Sequence, residues 1–64
     1  MFKPGYEIKL ALAKQMKSQV WLISQMKMRM LITDASELSS VLSGARKGAK
    51  AERMIAMAND ILGL

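Results

Sequence analysis

The chain has no cysteine and no histidine. No disulfide can staple it, and zinc held in the usual Cys/His manner is excluded. The lack of cysteine leads us to expect a cytoplasmic protein. Carboxylates are few, at Glu7, Asp34, Glu37, Glu52 and Asp60, and scattered. With no thiol or imidazole beside them, they form neither an acid–base pair nor an activated nucleophile, so we expect no enzyme and no cofactor. Proline occurs once, at Pro4, and the only aromatics are Phe2, Tyr6 and Trp21. No apolar run is long enough to span a membrane: the strongest, from Val20 to Ile32, is broken by Gln25, Lys27 and Arg29 and falls short of the ~20 residues a span needs. The first residues lack the ordered charged, apolar and cleavage regions of a signal peptide.

What is present is basic and apolar. Ten Lys or Arg face five Asp or Glu, for a net charge of +5 and a pI of about 10.0. Such a balance favours phosphates, anionic lipid or acidic proteins. Sixty-four residues make one small domain, with hydrophobic residues at 52%. A domain this small buries only about 60% of its unfolded surface. The apolar excess is therefore expected to cover a subunit interface, making the protein a homodimer or higher homo-oligomer.

The pattern along the chain is helical. Residues 1–4 are expected to be loose, with Pro4 and Gly5 marking entry to the first element. From Tyr6 to Leu31 there is no Pro or Gly, and good helix formers dominate. Ile8, Leu12 and Met16 recur every four residues, and Leu22, Ile23, Met26 and Met30 form a second set. One continuous helix and two helices both fit. We favour a break at Lys17-Ser18-Gln19, because Ser18 is an acceptable N-cap and a break there lets Trp21 be buried. Leu31 to Thr33 reads as a turn. Asp34 can cap a third helix, with Glu37 reaching back to complete a capping box. Leu38, Val41 and Leu42 supply a narrow apolar edge, and Gly44 can end the helix in a left-handed conformation. Gly44 to Gly48 is a basic loop. A last helix runs from Ala49 to Leu62, with Ala51, Met54, Ile55, Ala58, Ile61 and Leu62 on one stripe and Gly63 as its stop. The seven methionines are expected mostly to fill an irregular core.

The remaining positions of the third helix, Ala35, Ser36, Ser39, Ser40 and Ser43, are small. A helix slim on its outer side, followed at once by Arg46, Lys47 and Lys50, suits entry into a DNA groove with the loop cations on phosphates. A different reading of Met26 to Ile32 is a strand, since Met26-Lys27-Met28-Arg29-Met30 alternates; that would make a ribbon-helix-helix dimer with Lys27 and Arg29 in the groove. A helical oligomeric protein-binding module, such as an antirepressor-like adaptor contacting another regulatory protein, and an amphipathic membrane-surface peptide are further alternatives.

Ser18 to Met26, reading S-Q-V-W-L-I-S-Q-M, resembles the first helix of the helix-turn-helix in small phage-type lambda repressor/Cro-like (XRE) proteins, which often opens S/T-Q-x-x-L-I. Asp34 to Gly44, reading D-A-S-E-L-S-S-V-L-S-G, resembles that family's recognition helix, which typically ends L-S-x-h-L-x-G (h apolar) before a basic x-R-K. Ile61-Leu62-Gly63-Leu64 is similar to the family's closing I-L-G-L. The resemblance implies an all-α bundle of about four short helices with a helix-turn-helix at about 18–44. It also implies a transcription regulator that binds double-stranded DNA, with Gln19 on a phosphate at the start of the motif. Two features depart from the family: the turn from Lys27 to Thr33 is long and has no glycine, and the third helix lacks the Arg, Lys, Gln or Asn that usually read bases.

Overall fold

Serine and aspartate caps divide the chain where their short side chains can satisfy free backbone N–H groups. The computed structural model describes residues 5–64, and the expected loose segment 1–4 lies outside them. Helix α1 spans Tyr6–Lys14, α2 Gln19–Met28, α3 Ala35–Ser43 and α4 Ala49–Leu62. No strand occurs among the described residues. The all-α expectation holds, and the ribbon alternative fails because Met26 to Met28 continue α2.

The chain does break at Ser18, whose Oγ accepts the Trp21 N–H at 3.1 Å. Asp34 Oδ1 accepts the Glu37 N–H at 2.7 Å and starts α3. Each of the four helices closes on a residue with positive φ: Met16, Met30, Gly44 and Gly63. The next residue's N–H then reaches back, as Lys17 N to Leu12 O at 2.8 Å and Leu31 N to Met26 O at 2.9 Å, the Schellman arrangement. After α2 this reversal folds Leu31 into the core, where it is 4% exposed.

The core joins all four helices. Ile8, Ala11 and Leu12 come from α1, Leu22 and Met26 from α2, Leu38, Val41 and Leu42 from α3, and Ala51, Met54, Ala58 and Leu62 from α4. Helix α4 packs against the other three, and α3 also meets α1 and α2. Ile55 and Ile61, assigned to the same stripe, are half-buried against this cluster, as are Trp21 and Ile23. Gln15 Nε2 donates to Leu62 O at 3.1 Å and ties the ends of α1 and α4 together. Arg29 and Asp60 pair on the surface between α2 and α4. As both side chains are well exposed, that pair contributes at most about 1 kcal/mol.

Two methionine expectations are overturned. Met16 and Met30, placed on buried stripes by their spacing, are 92% and 88% exposed. Each occupies the left-handed position that closes a helix, so its side chain leaves the helical phase just where the stripe would continue. Nor do the methionines mostly fill the core: Met26 and Met54 are buried and Met57 partly so, whereas Met16, Met28 and Met30 face outward. The left-handed conformation costs a non-glycine residue about 1–2 kcal/mol. Replacing Met16 or Met30 by glycine removes that cost and adds back about 0.4–1 kcal/mol of unfolded-chain freedom. Each replacement should stabilise the fold by about 0.5–1 kcal/mol net. Urea unfolding midpoints check this; a lower midpoint would mean that the methionine side chain makes stabilising contacts.

Candidate nucleic-acid interface

Helix α3 owes its position to one edge. Leu38, Val41 and Leu42 are no more than 1% exposed, which anchors the helix and turns the opposite side outward. Ala35, Ser36 and Ser39 are exposed, and none carries a bulky side chain. Ser40 and Ser43 are half-buried instead. Ser43 Oγ donates to Ser40 O at 3.1 Å. The same carbonyl accepts Ala45 N at 3.0 Å and Arg46 N at 3.1 Å, so this end of α3 shapes the start of the basic loop. The slim outer face is thus narrower than the serine pattern indicates.

The loop turns at Gly44, with φ of 85°, and again at Gly48, with φ of 121°. It brings Arg46, and Lys50 in the first turn of α4, back to the first turn of α3, where both meet Glu37. Lys50 Nζ lies 3.0 Å from Glu37 Oε1, and Arg46 Nη1 lies 3.5 Å from Glu37 Oε2. Thr33 Oγ1 also donates to Glu37 Oε1, at 2.7 Å. The Thr33 hydrogen bond, followed by that of Lys50 and then by the charges of Lys50 and Arg46, lowers the Glu37 pKa against some desolvation. The capping box is therefore only half formed. Asp34 caps the Glu37 N–H as expected, but the Glu37 carboxylate turns to Thr33 and the cations rather than back to Asp34. Three donors, two of them cationic, offer that carboxylate more than one backbone N–H does.

Of the three cations expected to serve the site, Arg46 in the loop and Lys50 in the first turn of α4 are engaged in this way. Lys47 is exposed and makes no ion pair among the described residues. The loop also borders a shallow groove lined by Val41, Gly44, Arg46, Lys47, Ala51 and Ile55 among others. Gln19 is half-buried in the first turn of α2. It lines a separate groove with Lys9, Leu12, Ala13 and Lys17. Lys17 adjoins Gln19 in the chain, whereas Lys9 reaches the groove from α1, a placement that no motif in the sequence signals. Lys17 Nζ stands 5.0 Å from the centre of the Trp21 ring, a cation–π distance.

A second exposed feature lies on α2. Val20, Ser24 and Met28 recur every four residues on the side opposite Leu22 and Met26. Val20 is 69% and Met28 77% exposed, and Met30 and Ile32 extend the apolar surface beyond the helix end. No carboxylate occurs from Ile8 to Thr33, whereas Lys9, Lys14, Lys17, Lys27 and Arg29 do. Among the described residues no helix is long and apolar enough to cross a membrane, and no acidic, His or Cys cluster could hold a metal ion. Comparison of the chain with family models, curated proteins and solved structures finds no match.

Proposed function

We propose that this chain is a small DNA-binding domain of helix-turn-helix type, acting as a transcriptional regulator of phage or mobile-element kind. In this reading α2 and α3 form the motif, and the outward Ala35, Ser36 and Ser39 enter the major groove. The observation that carries the proposal is the pairing of that slim exposed face with a cationic loop folded beside it. A major groove about 12 Å wide admits a helix, and small outward residues let the α3 backbone approach the base edges. Serine hydroxyls make short bonds to several bases and discriminate little. Phosphate contacts from Lys47, Arg46 and Lys50, and from Gln19 with Lys9 and Lys17, then supply most of the affinity. Ser40 and Ser43 support the loop through their backbone and one internal hydrogen bond rather than reading bases.

Fluorescence anisotropy with random duplex DNA over a salt series tests this. Affinity should fall steeply with salt. Lys47→Ala should weaken binding to every sequence alike and reduce the salt slope by about one. Ser39→Leu should obstruct groove entry while leaving the helical circular dichroism signal intact, because Ser39 is exposed. Unchanged affinity in these folded variants would refute the assignment.

A dimer fits the proposal, since half-sites bind weakly alone. The groove between α1 and the chain end suits a second copy: Leu10 and Leu64 are exposed there, and Glu7 and Lys14 lie on the same face. A two-fold axis near Leu10 would set each Glu7 against the other copy's Lys14. Sedimentation at micromolar concentration should show the dimer, and Leu10→Lys should dissolve it; a wild type that is monomeric throughout would remove this part.

The second reading is a protein-binding module. The exposed Val20, Met28, Met30 and Ile32 favour it, because flexible methionines adapt to partner surfaces. Absence of DNA binding even at low salt would select it.

A further inference from the structure

Glu37 stands where a capping residue of α3 belongs, yet its carboxylate does something else. Its side chain is only 15% exposed. It accepts from Thr33 Oγ1 at 2.7 Å and from Lys50 Nζ at 3.0 Å, with Arg46 Nη1 at 3.5 Å. Thr33 fixes the carboxylate from one side, and the two cations come to it across the loop. The Lys50 and Arg46 side chains remain about half exposed, at 51% and 57%. They are thus accessible from solvent while partly neutralised from within. A carboxylate and a phosphate compete for the same donors on such cations.

We propose that Glu37 is an internal stand-in for DNA phosphate, restraining Arg46 and Lys50 in the free protein and lowering the affinity for DNA of any sequence. The inference rests on the DNA-binding reading above. Binding then exchanges one anion for another at these two cations, so they release fewer counterions than free cations would. Lys47, which has no such partner among the described residues, contributes its full share. The arrangement limits non-specific attachment in a protein whose recognition face carries only small groups.

The experiment compares the wild type with Glu37→Gln and Asp60→Asn on random duplex DNA across a salt series. Both variants raise the net charge by one. Glutamine keeps the shape of Glu37 and can still accept from Thr33 and Lys50, so the fold should persist, and thermal melts verify that. Asp60 lies near the end of α4, paired with Arg29 on the surface between α2 and α4, away from Arg46 and Lys50. Glu37→Gln should steepen the salt slope by about 0.9 for each further phosphate that the released cations neutralise, which near 0.1 M salt means roughly eightfold tighter binding per phosphate. Asp60→Asn should leave the slope unchanged. Lys50→Ala should also cost more affinity in the Glu37→Gln background than in the wild type. If the wild type binds DNA but Glu37→Gln matches Asp60→Asn or binds more weakly, Glu37 does not restrain Arg46 and Lys50 and the inference falls alone. If neither the wild type nor any variant binds DNA at low salt, the DNA-binding reading itself is wrong.

Discussion

Leu38→Ala should remove a large share of the protein's stability and lower its urea midpoint sharply. Leu38 is 0% exposed and stands on the inner edge of α3, where that helix meets α1, α2 and α4. Truncating a buried leucine costs about 2–5 kcal/mol, because the transfer energy is lost and a cavity remains. A chain of 64 residues has roughly 3–10 kcal/mol of total stability at about 0.05–0.15 kcal/mol per residue. The substitution therefore removes a large share of the whole. The small core of residues from four helices has little capacity to collapse around the gap, and no disulfide supports it. Circular dichroism and urea titration measure the effect. A folded variant losing less than about 1 kcal/mol would mean that α3 is held mainly by something other than its apolar edge.

Gly5→Ala should also be strongly destabilising, for a reason the composition does not reveal. The Gly5 backbone is ordinary, with φ of −91°, so conformational freedom is not at issue. A methyl carbon added there would lie 2.5 Å from Leu42 Cα and Cβ, well inside van der Waals contact. Leu42 is 1% exposed and its Cα is main chain, so it cannot turn aside. The Gly5 N–H also donates to Leu42 O at 3.1 Å, and that bond holds the start of α1 against α3. Relief requires the two helices to separate, breaking the bond and loosening Ile8 behind it. Overpacking of this kind costs about 1–3 kcal/mol or more. Alanine at Gly63 is the useful comparison. Nothing lies within 4 Å of its added carbon, although φ is +77°, so only the left-handed term of about 1–2 kcal/mol applies. Thermal melts should rank Gly63→Ala above Gly5→Ala; the reverse order would show that the approach of Gly5 to Leu42 relaxes at little cost.

Local chemistry settled where α2 and α3 begin and where α3 and α4 end. Ser18 and Asp34 have side chains short enough to cap the next turn, and Gly44 and Gly63 accept the left-handed backbone that closes a helix. Spacing also marked Leu22, Met26, Leu38, Val41, Leu42, Met54, Ala58 and Leu62 for burial, because a helix that must cover one stripe repeats it every three or four residues. Spacing failed at Met16 and Met30, where the helix ends before the stripe does and the side chain swings outward. Only the tertiary structure decided the partners of Glu37, the approach of Gly5 to Leu42 and the half-burial of Ser40 and Ser43. Lys50 lies thirteen positions from Glu37 and Gly5 lies farther still from Leu42. Contacts at such separations depend on how α1, α3 and α4 pack, and no local propensity or period encodes that packing.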